Sequence, residues 1–272
     1  MLARLWGIGK FSAMPSAPRL WSAVLFIGSC LAPALRAQVT ETPQTQGAGS
    51  VLMRMDAVSF GVAEDTAAPN QYKALAVGTT LISAGITPSL DFEFGTQLFL
   101  RDTFDKAGSD HTESGIGDVT LRPKWTFWRD TETGQAAAII PYVTLPTHSK
   151  AVGNDATEGG LIVPWSMDIA AGLRAAAMVQ WDVLRNVADT RYDSRWYASA
   201  FLKWALGGVA SAYAEGTLSD STAGASTASG TFGGGATLAV SHAFEWDFEV
   251  SRVVGSGRNS WNEVIRFRWK IL

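Results

Sequence analysis

The chain has 272 residues, 17% charged and 47% hydrophobic, with 27 Gly, 11 Trp, one Cys and a net charge of −3. That charged fraction falls below the quarter or so typical of soluble domains, which speaks against an ordinary cytosolic enzyme. One segment alone, near the N-terminus, is apolar enough to suggest a membrane helix, which excludes a helical-bundle membrane protein.

The first 37 residues contain that segment. Arg4, Lys10 and Arg19 precede the run Leu20–Leu35, which is interrupted by Pro33 and has no acidic residue before Glu41. The run is shorter than the ~20 residues that span a bilayer. A basic start, an apolar centre and small Ala37 read as a cleaved secretory signal peptide over 1–37; the rival is lipidation at Cys30. Cleavage after Ala37 removes four basic residues and the one Cys, so the mature chain is more acidic. Nucleic acid is then no partner, and disulfide scaffolds, thiol nucleophiles and Cys-ligated metals are excluded.

Residues 38–50 are polar, with Pro43, Gly47 and Gly49, and read as a flexible periplasmic leader. From Val51 the pattern alternates with period two in segments of about ten residues. Twelve such segments follow: 51–60, 72–84, 90–100, 115–128, 135–145, 159–169, 173–184, 194–206, 209–218, 231–240, 245–254 and 261–271. In the third, Leu90, Phe92, Phe94 and Leu98 oppose Asp91, Glu93 and Gln97; in the fourth, Val119, Leu121, Trp125 and Phe127 oppose Thr120, Arg122, Lys124 and Thr126. In the last, Ile265, Phe267, Trp269 and Ile271 oppose Arg266, Arg268 and Lys270. Short turns alternate with longer loops rich in Gly, Asp, Asn, Ser and Thr. An even strand number with that alternation predicts an all-β fold: a closed antiparallel transmembrane barrel of twelve strands over 51–272, with short periplasmic turns and longer extracellular loops.

With the N-terminus periplasmic, Trp125, Trp128, Trp204, Trp246 and Trp269 fall near the periplasmic ends, and Trp196 and Trp261 near the outer ends. Two such girdles are expected at membrane interfaces; Trp165 and Trp181 lie inside them. The apolar faces then meet outer-membrane lipid. The opposite faces place Asp91, Glu93, Gln97, Arg122, Lys124, Asp182, Lys203, Glu215, Asp247, Glu249, Arg266, Arg268 and Lys270 on the lumen, as pore-lining candidates. Aligning Val254 with Trp261 in the last hairpin predicts the ion pairs Glu249–Arg266 and Asp247–Arg268. The final strand lacks an in-phase terminal aromatic, since its lipid-facing set ends at Ile271 and Leu272 is out of phase; the barrel-assembly machinery reads this end.

Catalytic signals are sparse. A serine hydrolase needs a His beside a Ser and an orienting group. His111 and His148 lie in long loops near Ser109, Ser114 and Ser149, and His242 adjoins Ser241 in a predicted periplasmic turn. Asp155 and Glu158 lack EF-hand spacing and read as solvated loop charges. Gly233–Gly235 is no phosphate loop, because no Lys-Ser/Thr follows; flexible strand packing or a bend fits better. Neither cofactor nor metal nor catalytic residues are expected.

Three stretches carry a family likeness: Gly115-Ile116-Gly117-Asp118-Val119-Thr120-Leu121-Arg122-Pro123-Lys124, Ile140-Pro141-Tyr142-Val143-Thr144-Leu145-Pro146-Thr147 and Glu158-Gly159-Gly160-Leu161-Ile162-Val163-Pro164. With Ala212-Tyr213-Ala214-Glu215, they resemble the outer-membrane transporter family named for the meta-cleavage pathway of phenol degradation, from about residue 50 to the C-terminus. The resemblance implies a Gram-negative outer-membrane barrel that acts as a transporter, without fixing phenol as its solute. The expectation is a passive channel for small solutes, of open oligomeric state; only the family name points to aromatic or hydrophobic ones. The alternatives are a lipid-acting outer-membrane hydrolase and a sealed structural or adhesion barrel.

Overall fold

The computed structural model describes residues 40–65, 70–106, 109–149, 152–153, 155–186, 191–221, 228–255 and 258–272. The expected signal peptide and its cleavage or lipidation site lie outside these residues. The elements are β1 (Val51–Asp65), β2 (Asn70–Thr87), β3 (Leu90–Lys106), β4 (Ser109–Gly115), β5 (Val119–Asp130), β6 (Gln135–Leu145), β7 (Glu158–Ala170), β8 (Leu173–Arg185), β9 (Tyr192–Gly207), β10 (Ala210–Ser221), β11 (Ser229–Ala239), β12 (Phe244–Gly255) and β13 (Arg258–Lys270). Every pairing is antiparallel, and β1 bonds both β2 and β13, so the sheet closes on itself. Closure removes the exposed edges that an open sheet presents.

Thirteen segments make twelve wall strands, as the period-two pattern predicts. β4 and β5 share one side of β3: β4 covers its Leu100–Lys106 part and β5 its Leu90–Gly95 part. The interruption at 116–118 is stitched by β3 and by the chain beyond β6. Gly117 N–H donates to Gln97 O at 2.9 Å, Ser149 N–H to Ile116 O at 3.0 Å, and Thr147 and His148 N–H to the Asp118 carboxylate at 2.9 and 3.0 Å. The connection expected between the segments 90–100 and 115–128 is instead largely strand, as β3 runs on to Lys106 and pairs with β4.

The chain enters and leaves the barrel at one end, where Val51 N–H donates to Leu272 O at 3.0 Å. The short turns lie at that end, here called the turn end, and the longer connections at the other, the loop end. A bulge in β1 between Asp56 and Val58 exchanges its two faces: Leu52 and Asp56 are buried below it, Ser59 and Ala63 above it. An extra residue in one strand has that effect because side chains alternate with period two.

The outer face is apolar. Phe92, Phe94, Leu98, Trp125, Phe127, Val163, Val179, Leu202, Leu218, Phe232, Phe248, Val250 and Ile265 are all exposed. Aromatic rings gather at its margins. Near the turn end, Phe244 stacks on Phe267 at 5.5 Å between centroids and Trp246 meets Phe267 edge-on at 5.7 Å. Near the loop end Trp181 and Trp196 face each other at 6.3 Å. In a soluble sandwich these side chains would form a core; here they point outward and the buried face is the polar one.

Candidate functional site

Burial in a single closed sheet comes from the inside, so the buried alternate positions line the lumen. Asp91, Glu93, Arg122, Lys124, Asp182, Glu215, Asp247, Glu249 and Arg266 are buried, and Gln97 and Lys203 are half-buried. Arg268 and Lys270 are exposed at the turn end.

The buried charges form three groups. In the first, Glu93 lies directly opposite Arg122 and Asp91 opposite Lys124. Arg122 Nε contacts Glu93 Oε2 at 2.5 Å, Lys124 Nζ contacts Oε1 at 2.9 Å, and Ser83 Oγ donates to Oε1 at 2.9 Å. In the second, Arg266 on β13 reaches Asp56 on β1 at 2.5 Å and Asp247 on β12 at 3.1 Å. In the third, Asp182 accepts from Tyr142 Oη at 2.5 Å, Gln180 Nε2 at 2.6 Å and Arg195 Nη2 at 2.7 Å.

The expected pairs Glu249–Arg266 and Asp247–Arg268 are corrected by the register. Asp247 sits opposite Arg266, Glu249 opposite Val264 and Glu245 opposite Arg268. The hairpin closes with Val253 facing Ser260 and Arg252 facing Trp261, so each partner moves by two residues and every side chain keeps its face.

Two tyrosines bridge across a glycine on the strand between. Tyr142 lies beside Gly160 and reaches Asp182; Tyr213 lies beside Gly235 and reaches Asp247 at 2.8 Å and Glu249 at 3.0 Å. A Cβ on Gly160 would stand 2.9 Å from the Tyr142 hydroxyl, and one on Gly235 would stand 2.5 Å from that of Tyr213. The Gly233–Gly235 run therefore does more than loosen a strand: at Gly235 it makes room for a phenol ring on the lumen face.

Residues 40–50 overturn the expectation of a flexible periplasmic leader, because they run inside the barrel. From the turn end inward, Gly49 N–H donates to Gly85 O at 2.9 Å, Gln46 N–H to Asp91 at 2.9 Å, Gln44 Nε2 to Ser166 Oγ at 2.8 Å and Thr40 N–H to Glu215 at 2.6 Å. Pro43 O accepts from Thr126 Oγ1, and Thr40 Oγ1 bonds Ser199 Oγ at 2.7 Å. Glu41 joins the first charge group: Arg122 Nη2 contacts it at 2.5 Å, Arg54 Nη2 at 3.1 Å and Lys124 Nζ at 3.8 Å. Burial pushes the Glu41 carboxyl up, but Arg122, Arg54 and Lys124 outweigh that and hold it well below the usual carboxylate range. The segment reads as a solvated tail in sequence because its partners come from many strands and exist only after closure.

Between the charged groups the lumen wall mixes hydroxyl and amide positions, among them Ser83, Thr126, Ser166, Thr217 and Asn262, with apolar ones. Ile140, Ile162 and Met178 pack together with Tyr142 and Tyr197 beside them, and Ala176, Phe201 and Tyr213 form a second group. Leu121 faces Val143 and Trp125 faces Ile139, so the register between places Arg122 beside Tyr142 and Lys124 beside Ile140. Ile140 in turn faces Ile162. The cationic group and the apolar strip thus share a border.

Two of the histidines face carboxylates. Both ring nitrogens of His148 face carboxylates, Asp118 at 2.8 Å and Asp155 at 3.2 Å, and the His111 ring contacts Glu113 at 2.8 Å. Among the described residues no group of three or more His, Cys, Asp or Glu could hold a metal ion.

The family profile described as "Putative MetA-pathway of phenol degradation" matches residues 36–270. No curated protein matches the sequence. Among solved structures, the fold is similar to an outer-membrane channel from Pseudomonas putida F1, with a TM-score of 0.69 at 12% identity, covering 84% of this chain and 98% of that one. It is also similar to the translocator domain of the autotransporter NalP from Neisseria meningitidis, with a TM-score of 0.57 at 12% identity over 93% and 98% of the two chains. The transport unit of the autotransporter AIDA-I from Escherichia coli gives 0.51 at 12% identity over 92% and 97%. These likenesses share the barrel fold; the neighbours are channels and transport units, not enzymes.

Proposed function

From the premise that the chain belongs to the phenol-degradation MetA family, we propose that it is an outer-membrane channel through which small solutes diffuse down their gradients. One observation carries this reading: apart from Lys203–Glu245 at 3.9 Å, which reaches from β9 to β12 near the turn end, the wall charges pair between strands that are neighbours or one strand apart. Glu93–Arg122 joins neighbouring strands, Asp56–Arg266–Asp247 joins three consecutive ones, and Tyr142–Asp182 spans one strand. A sealed structural barrel would instead knit opposite walls together across its full section. The 40–50 segment crosses this lumen and is tethered at the turn end.

The apolar outer band is covered by lipid, with its aromatic margins at the two interfaces. Exposed Leu, Phe and Trp are satisfied there without a protein partner. A closed barrel of this kind couples to no energy source, so transport follows concentration. The lumen-lining residues Glu93, Arg122, Lys124, Asp182, Glu215, Asp247, Glu249 and Arg266 set the charge environment of the path. The hydrolase reading has no specific observation in its favour: the contacts of His148 run to Asp118 and Asp155.

Reconstitution into planar bilayers and liposomes tests the proposal. Folded protein should give discrete conductance steps and should swell liposomes in small neutral solutes. Neither conductance nor swelling, from protein that migrates as a folded barrel, would sink the channel reading.

A further inference from the structure

We propose that Arg54, Arg122 and Lys124, with the apolar strip Ile140, Ile162 and Met178 beside them, form a binding site for a small carboxylate on an apolar body, and that Glu41 is its resident stand-in. The inference deepens the channel reading and rests on it for its use in transport.

Three cations converge here, and the wall supplies Glu93 and Asp91 against them. The remaining positive charge is answered by Glu41, which is not on a strand. Arg122 divides its planar fork, giving Nε to Glu93 and Nη2 to Glu41, the geometry in which a guanidinium holds two carboxylates at once. Arg54 on β1 and Lys124, two residues along β5 from Arg122, close on the same Glu41 carboxylate. The position is therefore built for a carboxylate, and its present occupant comes from a segment held by separate hydrogen bonds at Thr40, Gln44 and Gln46.

The second half of the site defines the body of the ligand. Tyr142 borders Arg122, Ile140 borders Lys124, and the Glu41 N–H approaches Met178 Sδ at 3.2 Å. A solute whose carboxylate replaced that of Glu41 would carry its body against this strip, where burial of apolar surface adds to the ion pair. An inorganic anion lacks the body, and a neutral apolar solute lacks the charge. The group around Arg266 offers a contrast within the same lumen. Both of its carboxylates, Asp56 and Asp247, are fixed on wall strands, so it has no exchangeable partner.

Calorimetric titration of the folded full chain in detergent tests this with benzoate, acetate and benzamide as probes. Glu41→Ala should bind benzoate about tenfold more tightly than the unaltered protein, because its own carboxylate no longer competes. Acetate should gain less, and benzamide nothing. Glu41→Gln keeps the shape and removes the charge; it should gain in the same order and serves if the alanine variant folds poorly. In bilayers it should also shift the reversal potential toward anions. Equal benzoate affinity in all three proteins, or an equal gain for benzamide, would overturn the site. Folded protein that binds benzoate without conducting loses the channel reading and keeps the site; protein that conducts with no gain in benzoate affinity does the reverse.

Discussion

Gly160 and Gly235 show how much of the lumen depends on the absence of a methyl group. A Cβ on Gly160 would lie 2.2 Å from Trp181 O and 2.8 Å from the Tyr142 ring, so Gly160→Ala must displace the tyrosine from Asp182. The expected loss is about 1–3 kcal/mol, read by urea unfolding of the folded barrel. Gly216→Ala meets nothing within 4 Å and should stay within about 0.5 kcal/mol of the parent. Arg266 answers two buried carboxylates, Asp56 and Asp247, and removing one partner of a buried pair leaves uncompensated charge. Arg266→Met should therefore cost about 3 kcal/mol in the same assay. Alternation placed Arg266, Asp247 and Glu249 on one inward face in sequence. It did not mark Tyr213 and Tyr142, which reach their carboxylates across an intervening strand, or Arg54, whose partner Glu41 lies outside the strands.

At the scale of elements, the last hairpin separates what a pattern fixes from what it leaves free. A shift of one residue would turn every side chain of β13 to the wrong face, and a shift of two changes none. The inward face of β12 and β13 was therefore legible while their axial offset was not. In a background where Cys30 is the sole cysteine, Glu249→Cys with Val264→Cys should form a disulfide, and Glu249→Cys with Arg266→Cys should not. The 40–50 segment makes a second prediction. Its Glu41 carboxyl is lowered by Arg122, Arg54 and Lys124 against the effect of burial. A lowered folded value means docking is at full strength above the ordinary glutamate value of about 4.3 and is lost as pH falls through the lowered one. A spin label at Gln46→Cys should stay immobile from about pH 8 to 5 and gain mobility only in stronger acid; mobility rising already near neutrality would refute this account of the docking.

On the scale of the whole molecule, the low charge fraction and abundant Trp follow from a wall one residue thick. Its outer face is apolar, its inner face carries the buried charge, and neither needs a long apolar run. That arrangement predicts an effect opposite to that of a soluble surface. Phe248 is 46% exposed, so arginine there would be harmless in water but should cost about 2–4 kcal/mol in a bilayer, measured by unfolding from liposomes. The amino-acid sequence by itself determined the twelve wall strands and the inward faces of β3, β5 and β12, because each follows from period-two alternation. Only the tertiary structure decided the axial offset of β12 and β13, the break between β4 and β5, and the path of residues 40–50 through the lumen. Offsets of two residues leave the pattern unchanged, and the surface that receives Glu41 is assembled from β1 and β5 only once the sheet has closed.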